Sequence, residues 1–277
     1  MAIKRYTADK DNTLTNAYEA NLTTRGTGSN MGLADSLEIF SIYAQASSAS
    51  NEQSKVIANF PIGEITTDRA AGDIPASGSV NFYLRMFNVV HDQTVPKNFT
   101  LFTAPVSQSW QEGYGLDMEN YSDLTYDGTG SNWINAKAHL SWSNEGGDFL
   151  TGSTYSAYNY TQEFSTGLED LEIDITGMVE QWLTGTAGGG FENYGLTVEL
   201  TSSEASGNRS YYTKKFSSRS SEYVMKRPVI EARWNNSRQD NRGNFYISSS
   251  NLSAADNLNT LYLYNFVRGQ LTNLANI

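Results

Sequence analysis

The feature that most constrains this fold is a succession of short apolar runs bounded by Gly, Ser, Asn and Pro, of which only one has a helical period. Residues 37–43 alternate between apolar and polar side chains, which is the period of a half-buried strand. Other runs of strand length occupy residues 12–15, 56–62, 80–88, 99–106, 194–200 and 223–234. Short runs joined by polar turns predict an all-β protein built from antiparallel sheets.

The one helical segment covers residues 175–183, where Ile175, Met178, Val179 and Trp182 fall on the same face. An apolar stripe of this width indicates a helix that packs on the core. We therefore predict a jelly-roll-type antiparallel β-sandwich with one short helix and a C-terminal extension.

Aromatic side chains must supply much of the core. Hydrophobic residues make up 39% of the chain, below the usual share of globular proteins, whereas aromatic residues reach 12%. Because each large ring buries a large area, Trp110, Trp142 and Trp182 are predicted to be core residues.

Charge and composition exclude several classes of protein. The net charge is −11, so the chain lacks the excess of Lys and Arg that nucleic-acid binding requires. With no Cys, it can form neither disulfides nor thiolate metal sites. No apolar run approaches the ~20 residues of a membrane span, and no apolar segment follows Met1. We expect no signal peptide and no membrane span.

The chain is predicted to divide into a sandwich at residues 1–234, a polar linker at 235–250 and a C-terminal segment at 251–277. Within the last segment lies a strand candidate without an evident partner and with apolar side chains on both faces. It contains Leu261, Tyr262, Leu263, Tyr264, Phe266 and Val267. An unpaired strand invites pairing with another chain, so we interpret it as an assembly strand or as the start of a further module.

Segments spread over residues 9–234 match, in order, the motifs of one known family. They are Asp11-Asn12-Thr13-Leu14, Gly28-Ser29-Asn30-Met31-Gly32, Lys55-Val56-Ile57-Ala58-Asn59-Phe60, Ile74-Pro75-Ala76-Ser77-Gly78-Ser79-Val80, Asp174-Ile175-Thr176 with Trp182, Asn193-Tyr194-Gly195-Leu196, and Phe216-Ser217-Ser218-Arg219-Ser220 with Arg227-Pro228. Together they resemble the DNRLRE family, the disaggregatase-related jelly-roll module. The long segment 111–133 departs from the shorter family pattern.

The opening, Met1 to Thr13, also resembles structural proteins of marine tailed phages, cyanophages among them. The resemblance implies a virion structural protein: a surface appendage, collar, fibre or decoration subunit that uses the sandwich as a docking block. Its expected location is the virion, and its expected partners are other virion proteins or further copies of itself. The alternatives are a carbohydrate-binding or adhesin module for host surface glycans and a polysaccharide-degrading enzyme.

Enzymatic motifs are sparse. The only histidines are His91 and His139, and neither a cysteine nucleophile nor a Gly-x-Ser-x-Gly motif occurs. A glycosidase would need two carboxylates across a cleft, for which Glu112 and the acidic residues of the long loop are the candidates. We predict no catalytic residues and interpret these carboxylates as a solvated acidic loop.

The long loop at residues 107–133 holds the candidates for ligand binding. Tyr114, Tyr121, Tyr126 and Trp133 are of the type that stacks on sugars. Asp117, Glu119, Asp123 and Asp127 offer oxygen ligands for a structural Ca²⁺, although their spacing does not match an EF-hand. No other cofactor is expected.

Overall fold

A computed structural model describes residues 1–116, 129–237, 242–243, 250–257 and 262–272. The chain divides into two compact units, Met1–Asn235 and Asn236–Ile277. The first unit is mostly antiparallel β-structure, so the predicted fold class, an all-β sandwich with jelly-roll character, is confirmed.

Among the described residues of the first unit, one sheet has four strands in the order β1-β13-β5-β10, all antiparallel. These strands are β1 (Ala2–Thr7), β5 (Asn81–Met86), β10 (Leu171–Asp174) and β13 (Val229–Trp234).

The second sheet of the described residues has seven strands in the order β12-β3-β4-β11-β6-β9, with β2 paired to the C-terminal half of β4. They are β2 (Lys10–Thr15), β3 (Ser36–Tyr43), β4 (Asn51–Asn59), β6 (Phe99–Pro105), β9 (Tyr160–Phe164), β11 (Leu196–Leu200) and β12 (Tyr211–Ser217).

The main core lies between the two sheets and follows from the alternation of side chains along the strands. In β6, Phe99 and Leu101 are buried in this core, whereas Thr100 and Phe102 are half-buried on the opposite face. Of the residues that the structure describes, 30 are buried in this core, including Tyr6, Phe82 and Phe216.

The helices differ from the prediction. The expected helix is present as α2 (Thr176–Thr184) and buries Met178, Val179 and Trp182, as its pattern indicated. The prediction of a single helix is wrong, because α1 (Ile62–Ala71) and the short α3 (Ser202–Ala205) are also present. Helix α1 buries only Ile62 and Ile65, so its sequence has no apolar stripe wide enough to reveal it.

A smaller core covers part of the outer face of the seven-stranded sheet. In β4, Val56 and Ala58 face the main core, so Ile57 faces the opposite side, where it belongs to one cluster with three tryptophans. The described members of this second core are Leu14, Ile57, Val106, Trp110, Trp133, Ala136 and Trp142. Most of them come from the segment between β6 and β9, which also contains the short strands β7 (Asn135–Lys137) and β8 (Leu140–Ser141).

The second unit contains a hairpin of β14 (Asn265–Val267) and β15 (Gln270–Thr272). The expectation of an unpartnered strand is therefore wrong, because Phe266 lies opposite Leu271 in an antiparallel pair. The strand is also shorter than predicted, since Tyr262, Leu263 and Tyr264 lie outside it. Arg268 and Gly269 both have positive φ angles and form the two-residue turn that the sequence interpretation overlooked.

Candidate functional site

The outer face of the seven-stranded sheet carries an open groove beside the second core. Its floor is a row of side chains from three neighbouring strands: Lys55 on β4, Glu199 on β11 and Phe102 on β6. Glu199 lies directly opposite Phe102 in the ladder, and Lys55 Nζ lies 2.7 Å from Glu199 Oε2. Their strand neighbours Val56, Leu101, Val198 and Leu200 face the main core, so the floor residues point outward.

The groove wall is a loop at residues 143–151, held in shape by a buried carboxylate. Asp148 Oδ2 accepts a hydrogen bond from Ser143 N at 2.7 Å. Its Oδ1 accepts hydrogen bonds from Asn144 N and Nδ2, both at 2.9 Å. Burial raises the pKa of Asp148, but these donors outweigh that effect and hold it below its usual value. The carboxylate therefore stays charged and fixes the loop.

Phe149 projects from this loop and owes its position to a glycine. A Cβ on Gly147 would lie 2.5 Å from Phe149 Cζ, and Gly147 also has a φ of +108°. Both facts require glycine at this position. Phe149 packs on the second core and remains half-buried, so part of its ring faces the groove.

The groove has a volume of about 600 Å³, within the range of small-ligand sites. It combines two phenylalanine rings with amide, hydroxyl and charged side chains. Its lining residues are Lys55, Phe102, Asn144, Glu145, Gly147, Phe149, Thr151, Asn159, Glu199, Thr201 and Ser202. Such a surface can pack its aromatic rings on the apolar face of a ligand ring and form hydrogen bonds with the hydroxyl groups of that ligand.

A second groove of about 470 Å³ lies at the end of the four-stranded sheet, next to Tyr83 and Trp234. Its charged side chain, Arg233, donates to Glu231 and Glu172 and stacks on the Tyr83 ring at 4.2 Å. The first groove is the larger of these two, at about 600 Å³, and is therefore the better candidate for a ligand site.

Residues from segments far apart in the sequence meet in one buried polar network. Asn12 Nδ2 donates to the backbone oxygen of Ser131 at 2.8 Å, and so does Asn30 Nδ2. Met31 N in turn donates to Asn12 Oδ1 at 2.9 Å. Arg219 donates from Nε and Nη2 to the two oxygens of Glu112, at 2.9 and 2.7 Å. The network connects loops that are far apart in the sequence, and its residues line neither groove.

Asp11 is the member of this network whose burial is least compensated by hydrogen bonds. Its Oδ2 accepts a hydrogen bond from Arg219 N, whereas its buried Oδ1 has no partner among the described residues. Burial is the main cause that raises the pKa of Asp11 to about 7, and the nearby carboxylate of Glu112 raises it further. Glu112, one of the glycosidase candidates, is held in the ion pair with Arg219 and lines neither groove.

The structure places the predicted glycan-contact residues in different environments. Tyr114 is 67% exposed and lies outside both grooves. Trp133 is 6% exposed and packs in the second core, so its assignment as a stacking platform is wrong. The aromatic-rich composition of the loop could not show which rings serve packing. Tyr121 and Tyr126 lie outside the described residues.

All four metal candidates, Asp117, Glu119, Asp123 and Asp127, also lie outside the described residues. Within the part of the chain that the structure describes, no cluster of three His, Cys, Asp or Glu side chains could hold a metal ion.

Of the predicted assembly residues, Leu261 lies outside the described part of the chain. Three of the others are largely accessible: Leu263 is 81% exposed, Phe266 55% and Val267 51%. Tyr262 is 38% exposed, and Tyr264 lies near the guanidinium of Arg242, 5.8 Å from its ring centroid.

The sequence interpretation missed the groove residues, although one of them carried a signal. In β6, Phe102 occupies a position where the alternation predicts a polar side chain, between Leu101 and Thr103, which are both buried. A phenylalanine on the polar face of a strand indicates a ligand or a second core. Lys55, Phe149 and Glu199 carried no such signal, because only the folded sheet brings them together.

Neither a comparison with protein-family models nor one with curated proteins gives a match for this chain. Among the described residues, no helix has the length and apolar character needed to cross a membrane.

Proposed function

We propose that this protein is a carbohydrate-binding module that holds a glycan in the groove on its seven-stranded sheet, without turnover. The observation that supports this is the pairing of two half-buried rings, Phe102 and Phe149, with hydrogen-bonding side chains in one open groove. The C–H face of a sugar packs on an aromatic ring, while its hydroxyls need donors and acceptors at the edges. Asn144 and Asn159 line the groove, and the Nδ2 of each already donates one hydrogen bond, to Asp148 and to Leu150 O, so each amide offers a ligand its carbonyl oxygen and its second N–H.

The rigidity of the groove favours binding. Its floor is sheet, and Asp148 fixes its wall with hydrogen bonds inside the loop. A site that needs little ordering loses less free energy when the ligand arrives.

A glycan array followed by calorimetry tests the proposal. Replacing Phe102 with Ala should weaken binding about tenfold or more, because burial of a Phe side chain is worth ~1.5–3 kcal/mol. Phe102 lies outside the second core, so the fold should persist. Phe87→Ala is the matched control, since Phe87 is also half-buried but lies outside both grooves. Equal losses in the two variants, or unchanged binding in Phe102→Ala, would contradict the proposal.

A second candidate function is that of a virion structural protein of a tailed phage. The observation that favours it is the hairpin of the second unit, whose Phe266 and Val267 are more than half exposed, as is Leu263 just before it. Exposed apolar side chains on a short hairpin suit docking on another protein. The two functions are compatible, since a surface subunit of a virion can bind host glycans. Mass spectrometry and cryo-electron microscopy of purified particles would test this location.

A further inference from the structure

The charged side chains of the groove are unequally available to a ligand. Among the described lining residues Lys55 is the only cation; it lies 2.7 Å from Glu199, and both side chains are largely covered, at 20% and 15% exposed. Glu145 is exposed on the wall. The lining therefore presents one neutralised ion pair and one further negative charge.

We propose, on the basis of the carbohydrate-binding function above, that this groove selects uncharged glycans over glycans that carry carboxylate groups, and that Glu199 determines the selection by neutralising Lys55. A carboxylated sugar entering the groove comes close to the negative charges of Glu145 and Glu199. The positive charge of Lys55 is not available to it, because Lys55 is already paired with Glu199. Like charges brought together in a partly dry site oppose binding. The net charge of −11 on the whole chain acts in the same direction.

The position of Lys55 does not depend on Glu199 alone. Its Nζ lies 5.1 Å from the centroid of the Phe149 ring and 5.8 Å from that of Trp133. Ammonium groups are attracted to aromatic faces at this distance. When Glu199 loses its charge, Lys55 should therefore stay in the groove as an unpaired cation. The charge of Glu199 thus opposes the binding of acidic glycans, and its removal should allow them to bind.

The test uses the full chain and two oligosaccharides of equal length, one of neutral hexoses and one of hexuronic acids. The wild type should bind the neutral ligand at least ~10-fold more tightly, and Glu199→Gln should raise the affinity for the hexuronic ligand about tenfold. Glu222→Gln is the control, because Glu222 is exposed, lies outside the groove and changes the net charge equally.

The outcomes separate the two proposals. If the wild type prefers the hexuronic ligand and Phe102→Ala loses it, the selection is overturned while the glycan-binding function stands. If Glu222→Gln raises hexuronic affinity as much as Glu199→Gln does, the effect belongs to net charge and the role of Glu199 is overturned. If the wild type and both variants bind neither ligand, the glycan-binding function fails and the selection fails with it.

Discussion

At the scale of single residues, Asp11 makes the stability of the fold depend on pH. Its pKa is raised from 3.8 to about 7 by burial. Between these values the folded protein holds a proton that the unfolded chain has released. The stabilisation is therefore full below pH ~4 and is lost as pH rises towards 7.

We predict that Asp11→Asn removes this dependence. The unfolding free energy of the wild type should fall between pH 4.5 and 7.5, relative to that of the variant, by an amount on the order of a few kcal/mol. Denaturant titrations at the two pH values measure the difference, and comparing the proteins cancels the titration of other groups. Parallel pH profiles for the two proteins would show that Asp11 is charged throughout.

Lys214 is a second buried charge, but its hydrogen bonds are satisfied. Its Nζ donates to Asn88 Oδ1, Gly167 O and Glu169 O at 2.6, 2.8 and 2.7 Å. Lys214→Met should cost roughly 3 kcal/mol, because it leaves three acceptors without their donor. The neighbouring Lys215 makes one ion pair, with Glu38, so Lys215→Met should cost at most ~1 kcal/mol. Urea denaturation compares the variants, and equal costs would contradict this account.

At the scale of elements, helix α2 holds its place through one large side chain. Trp182 is 5% exposed and packs in the main core. Trp182→Ala should lower the unfolding free energy by about 3–5 kcal/mol, the usual cost of deleting a buried large aromatic. Gln181→Ala, one position away on a more exposed face, should change it by no more than ~0.5 kcal/mol. A loss below ~1 kcal/mol for Trp182→Ala in chemical denaturation would mean that the helix is not anchored there.

The groove wall offers a test at the level of a loop. Gly147→Ala should displace the Phe149 ring and weaken glycan binding about tenfold, since the new Cβ would lie 2.5 Å from Phe149 Cζ. Gly152→Ala, in the same segment, meets no atom within 4 Å and should leave the affinity unchanged. Calorimetry on both variants decides, and normal binding by Gly147→Ala would remove Phe149 from the site.

Strands were predictable from the sequence where their side chains alternate. Residues 37–43 do so and correspond to β3. Strand β12 was not predicted, because a lysine, Lys214, occupies one of its buried positions and is only 1% exposed. No hydrophobic pattern can indicate a buried lysine. The groove could not be predicted from the sequence for another reason. Its floor consists of residues 55, 102 and 199, which only the order of the strands in the sheet brings together.

At the scale of the whole molecule, the sandwich is expected to fold without the second unit. Among the described residues, every buried side chain belongs to Met1–Asn235. A variant ending at Asn235 should therefore melt within about 3 °C of the full chain, the shift produced by ~1 kcal/mol in a domain of this size. It should also lose self-association or incorporation into particles.

Light scattering after size-exclusion chromatography, together with a thermal melt, separates the two effects. An unfolded truncated protein would place residues 236–277 in the folding unit of the sandwich. A truncated protein that assembles as the full chain does would remove the hairpin from the interface.

The second core has a consequence for how this protein can change over evolutionary time. Its tryptophans, Trp110, Trp133 and Trp142, all come from the segment between β6 and β9, which also supplies the groove wall. The described part of that segment rests on the outer face of a sheet whose inner face already holds the main core. Exchange of the segment would reshape the ligand contacts while the interior of the sandwich stayed intact, so ligand preference and folding can vary independently in descendants of this chain.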